Sequence, residues 1–101
     1  MPPFEKAPEV DDDLRAIISY TAERWGAAQV RKYMSGLDFH MELMAVGMAH
    51  TRSLDHLIEG LKVGRYERHF VFGIERAGKP MLILAVFHEK MSVIDRLKKR
   101  L

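Results

Sequence analysis

Six residues in the second half of the chain are of types that hold anions and move protons: Arg65, Tyr66, Arg68, His69, His88 and Lys90. The first four surround the start of the run HFVFGIER, and the last two follow the run MLILAVF. In an antiparallel hairpin the start of one strand lies beside the end of the next, so all six would share one end of a sheet. Arginine and lysine in such a patch would hold phosphate oxygens. A histidine or tyrosine would move a proton during attack of a 2′-hydroxyl on an RNA phosphodiester. The plainer reading is equally available: His69 and His88 as hydrogen-bonded strand-end residues, and the arginines as solvated charges.

Other chemistry finds less support. The five histidines, His40, His50, His56, His69 and His88, show no HxxxH helical spacing and no carboxylate at a ligand distance in sequence, so no metal and no cofactor is expected. There is no cysteine, which excludes a disulfide scaffold, a thiolate metal site and a cysteine nucleophile. Ser19, Ser35, Ser53 and Ser92 lack the context of a nucleophile, and no glycine-rich phosphate loop is present.

The elements that must position these residues follow from apolar spacing. A chain of 101 residues with 48% hydrophobic residues suits one domain spanning residues 1–101. Its organising stretch is Met81 to Phe87, an apolar run behind the turn-like Ala77-Gly78-Lys79-Pro80, which reads as a strand buried on both faces. Strict alternation would place Leu82, Leu84 and Val86 on one face and Ile83, Ala85 and Phe87 on the other. Pro2 to Pro8 reads as an edge strand. Asp11-Asp12-Asp13 reads as a helix start, with Leu14, Ile17, Ile18, Thr21 and Trp25 along one face and Gly26 at its end.

A second amphipathic helix runs from about Ala27 to Ala45, and the short break between the two implies an antiparallel hairpin. Its methionines serve as core filling in the simpler reading and as an adaptable partner surface in the other. Val46 to Gly60 reads as a loop holding one helical turn. Strands at Leu61 to Tyr66 and Arg68 to Arg76 follow, and Ser92 opens a terminal helix. The expected fold is α+β: a β-α-α-β-β-β chain with the helical hairpin on one face of a small antiparallel sheet, plus a C-terminal helical tail. The other sheet face would stay uncovered, which points to a partner.

Charge is uneven along the chain although the net is only +2. Glu5, Glu9, Asp11, Asp12 and Asp13 gather near one end, and Arg96, Lys98, Lys99 and Arg100 near the other. A basic terminus favours an anionic partner, or else is only a solvated helix end. No apolar run nears the roughly 18–20 residues that cross a bilayer, and a soluble, cytoplasmic protein without a membrane partner is expected.

Two longer motifs carry a family likeness. DLRAIISYTAERWGAAQVRKY (Asp13 to Tyr33) and RHFVFGIERAGKPMLILAVFHEKMSVIDRLKKRL (Arg68 to Leu101) resemble, in order and spacing, the helical segment and the ending of ParE-type toxins of the RelE/ParE superfamily. The resemblance covers nearly the whole chain and implies the same β-α-α-β-β-β order. It also implies the toxin of a type II toxin–antitoxin module, one that inhibits DNA gyrase and is neutralised by a cognate ParD-like antitoxin in a hetero-oligomer. The alternative within the superfamily is a RelE-like, ribosome-dependent mRNA endonuclease. A third reading is a toxin-like relative that only binds its partner.

On the gyrase reading there is no catalytic residue, and the target would meet Arg65, Arg68, Lys90, Arg96, Lys98, Lys99 and Arg100. The antitoxin would cover Trp25, Tyr33, Phe70, Phe72, Leu84 and Val86. On the nuclease reading His88, His69 and Arg65 would form the catalytic set. The tail from Ser92 to Leu101 is expected to pack only lightly.

Overall fold

A computed structural model describes residues 3–101. The elements are β1 (Phe4–Lys6), α1 (Pro8–Trp25), α2 (Ala27–Ala45), β2 (Thr51–Ser53), β3 (Leu61–Tyr66), β4 (His69–Arg76), β5 (Lys79–His88) and α3 (Val93–Arg100). The α+β class and the hairpin-on-sheet arrangement are as expected. Of the expected N-terminal edge strand, Pro2 lies outside the described residues.

α1 begins earlier than the aspartates suggested, at Pro8. A proline suits the first turn because its φ is already helical and its missing N–H would have had no partner there. The earlier start adds Val10 to the buried stripe with Ile17 and Thr21. Ile18 and Trp25 consequently fall on the flank of the helix, and Trp25 is 69% exposed. Gly26, at φ 85°, is the sole residue between the two helices, and its N–H caps α1 on the Ala22 carbonyl. That positive φ is where glycine is needed.

The sheet order is β1-β5-β4-β3-β2. β5 is an interior strand, antiparallel to β4 and parallel to β1. Thus the sheet is mixed rather than wholly antiparallel, and Thr51–Ser53 adds a fifth strand that three polar residues gave no period to reveal. The expected alternation along β5 breaks at Leu84. Phe72 pairs with Ala85 but the next residue, Gly73, pairs with Ile83, so Leu84 is bulged out of register. One extra residue reverses which side chains face which layer. Ile83 and Val86 therefore both face the helical hairpin, while Ala85 and Phe87 face away.

Two cores result. Between hairpin and sheet lie Val10, Ile17, Leu37, Met41, Val71 and Ile83. On the opposite face Leu54, Leu61, Phe72, Phe87 and Leu97 pack together. The second face is therefore not uncovered: α3 and the loop before β3 close it. Phe72 and Val86, expected on an open antitoxin surface, are 1% and 3% exposed and belong to the interior. Full burial of Leu97 alone stabilises the closure of α3 by about 1.5–3 kcal/mol.

α3 is also tied down by charge. Arg100 forms a two-pronged ion pair with Asp13 of α1, at 2.8 and 2.7 Å. The same guanidinium donates to the carbonyl of the bulged Leu84 at 3.1 Å, and the Asp13 carboxylate accepts from Val86 N–H at 3.0 Å. Arg100 lies over the Phe87 ring at 4.9 Å. The expectation of a loosely packed tail with Arg100 free for a target is overturned. Deleting one partner strands the other charge in a largely buried place, so Arg100→Met should cost about 2–3 kcal/mol. Urea unfolding of Arg100→Met, Asp13→Asn and the double variant checks this; the double variant should lose less than the sum of the single losses.

Candidate functional site

The hairpin registers bring the six sequence candidates to one end of the sheet. Tyr66 pairs with His69 across β3 and β4, and His69 with His88 across β4 and β5. Arg65 is the last residue but one of β3, Arg68 sits in the tight turn between β3 and β4, and Lys90 follows β5. The two imidazoles meet edge to face, with ring centroids 5.2 Å apart.

Their surroundings are those of a neutral, packed cluster. Tyr33 of α2 places its hydroxyl 2.6 Å from His69 Nδ1 and its ring against Tyr66. Tyr66 in turn lies over Gly36 of α2, where an added Cβ would overlap its hydroxyl. Burial lowers the His69 pKa to about 4, with His88 adding to the effect. Burial raises the Tyr33 phenol to about 12. Near neutral pH the histidine is uncharged and a weak base, and the phenol keeps its proton. Neither is tuned to exchange a proton at that pH.

The cations are compensated in the same place. Glu89 accepts from both Arg65 and Arg68, the latter at 2.8 Å. The Arg68 hydrogen bond is the main reason that the Glu89 carboxyl titrates below its usual range. A carboxylate set between two arginines weakens any hold on a phosphodiester there. Among the described residues, no cluster of three or more metal-ligating side chains occurs.

A cleft of about 580 Å³ opens beside this cluster, between α1 and the last residues of β5. Ala16, Ile17 and Tyr20 form one wall, with Phe87 and His88 opposite and Lys90 at the rim. The other candidates lie elsewhere. Arg96, Lys98 and Lys99 are exposed on α3, away from the histidines, whereas Arg100 is engaged with Asp13. Trp25 is exposed; Tyr33, Phe70 and Leu84 are half-buried.

Glu89 and the link from Tyr33 to His69 escaped the sequence. The signal available for Glu89 was its place between His88 and Lys90, one step past a strand whose partner begins at Arg68. Tyr33 gave no such signal, since 36 residues separate it from His69.

The sequence matches the family model described as the ParE toxin of type II toxin–antitoxin systems, parDE, over residues 5–93. It is also similar to Toxin ParE of Escherichia coli, with 42% identity over 93 residues, covering 92% of this chain and 90% of that protein.

The acid side of the stability profile should carry the mark of His69. Its folded pKa of about 4 lies below its unfolded value of about 6.5, so in that window the unfolded chain binds the additional proton. Stability is then complete above about pH 6.5 and falls as pH drops toward 4. Chemical denaturation at a series of pH values should show a flatter slope in this window for His69→Gln than for the native chain.

Proposed function

The chain belongs to the ParE toxin family of type II toxin–antitoxin systems, and from that premise we propose that it works by binding, with DNA gyrase as its target. A ParD-like antitoxin neutralises it in a hetero-oligomer, in the cytoplasm where gyrase acts. The observation that carries the non-enzymatic reading is the engagement of Arg65 and Arg68 by Glu89 beside a neutral His69. An mRNA endonuclease would need those cations for a phosphate and that histidine for a proton.

Within this reading Arg96, Lys98 and Lys99 meet the target, because they are the cations of α3 that no described carboxylate engages. Lys90 lies apart from them at the cleft. The antitoxin takes the exposed apolar surface of the helical hairpin and of the loop after it, including Trp25, Phe39 and Met48, together with the half-buried Tyr33, Phe70 and Leu84. A stable complex of this kind buries about 1,600 Å². No helix among the described residues is long and apolar enough to cross a membrane.

Gyrase supercoiling assays with the purified chain test the target, and the antitoxin encoded beside it should abolish the inhibition. His88→Gln should leave inhibition intact. In contrast, translation-dependent mRNA cleavage that disappears in that variant would establish the nuclease reading instead. The triple variant Arg96→Ala, Lys98→Ala, Lys99→Ala should weaken gyrase inhibition about tenfold, from three exposed contacts near 0.5 kcal/mol each. Antitoxin affinity, measured by calorimetry on the same protein, should stay unchanged.

A further inference from the structure

The cleft between α1 and the end of β5 joins an apolar wall to a set of side-chain donors. Ala16, Ile17 and Tyr20 form the wall, and Met91 lines the same space from beyond β5. Arg24 lies over the Tyr20 ring, 4.8 Å from its centre, and braces it. Of the polar side chains on the lining, Asp13 is the single carboxylate, and it is occupied. Both its oxygens bind Arg100, and one also accepts from Val86 N–H. His69 turns Nδ1 to the Tyr33 hydroxyl at 2.6 Å. Lys90 N–H donates to His88 Nδ1 at 3.1 Å, so His88 Nε2 carries the ring hydrogen and is a donor. Among the described residues neither that Nε2–H nor the Lys90 ammonium has a partner.

Arg68, the remaining cation of the lining, engages Glu89 through one terminal nitrogen and keeps its other N–H groups for a ligand. The volume of about 580 Å³ falls within the range of small-molecule pockets. We propose that this cleft binds a small aromatic acid, its ring laid against Ile17 and Tyr20 and its carboxylate held by His88, Lys90 and Arg68. Such a site goes beyond the binding of proteins and holds whether or not gyrase is the target.

The lining selects this class on two grounds. Side-chain donors beside an occupied carboxylate favour an anion over an amine, because an ammonium would meet like charge and find no free carboxylate. The apolar wall then separates anions from one another. An inorganic anion or acetate reaches the same donors but leaves Ile17 and Tyr20 in water, whereas an aromatic ring removes both from it. A nucleotide offers a phosphate to the donors, yet its base brings N–H groups that gain no side-chain acceptor on the wall. A ring with a carboxylate as its one polar group satisfies both surfaces. The carboxylate meets charge-assisted donors, which are the stronger kind of hydrogen bond.

The test titrates the full chain with phenylacetate, phenethylamine, acetate and adenosine monophosphate, followed by NMR. Phenylacetate should bind saturably and shift the amides of Ala16, Tyr20 and His88. Phenethylamine, the same ring with an ammonium, should bind about tenfold more weakly or worse, and so should acetate. Ala16→Glu, at an exposed position of α1 on the cleft wall, should fold normally and weaken phenylacetate about tenfold. Lys90→Gln, also exposed, should weaken it about threefold. No saturable binding at millimolar phenylacetate, equal binding of phenethylamine or acetate, or full binding by either folded variant would overturn the proposal. Tighter binding of adenosine monophosphate than of phenylacetate would overturn the aromatic acid as the class. Gyrase inhibition is read in a separate assay, so its failure and this one are distinguishable.

Discussion

The ion pair between Asp13 and Arg100 is the constraint on which much of the fold turns. A bulge in an interior strand leaves main-chain groups out of register with their neighbours, and buried groups of that kind must find partners. Here α1 supplies a carboxylate for one and α3 a guanidinium for the other, while the two side chains satisfy each other. The bulge, the entry of α1 and the seat of α3 are thereby made interdependent. Without the bulge, Val86 would face away from the hairpin. Without Arg100, the helix closing the second core would hold chiefly by Leu97 and its apolar neighbours.

The same economy of charge governs the end of the sheet. Four residues with catalytic potential and three cations converge there, as in a nucleic-acid cleaving centre. Yet Glu89 binds two of the cations, and packing against Tyr33 and His88 keeps His69 neutral. Position on the fold brings such residues together whether or not they react; protonation and pairing decide their chemistry. In this chain those features support the proposed reading of a protein that acts by contact.

Much of this was legible in the sequence because periodicity reports on burial. Both helices of the hairpin, the glycine between them, four of the five strands and the gathering of Arg65, His69 and His88 could be read from apolar spacing, prolines and turn residues. The bulge could not, since Leu84 sits in a uniformly apolar run without glycine or proline to mark it. Its consequence was the wrong assignment of faces along β5, and with it the placing of Val86 on an open surface. The second error had a different source. A helix with a single fully buried leucine looks too small to cover a sheet, and only the loop residues Leu54 and Leu57 beside it complete the lid. Arg100 read as one basic tail residue among four, because its partner lies 87 positions away.

That long separation has a consequence in time. A ribosome delivers the chain from its N-terminus, and β1 has no strand to join until β5 emerges, because Phe4 pairs with Met81 and Lys6 with Ile83. The lid over the second core comes later still, and the guanidinium that seals the bulge, Arg100, follows Leu84 by 16 positions. While the chain is growing, the hairpin can form from local contacts, but the sheet edges stay open and the second core stays wet. The surface thus takes its finished form only after Arg100 has emerged to meet Asp13 and Leu84. Throughout synthesis its strand edges are available to anything nearby that can pair with them.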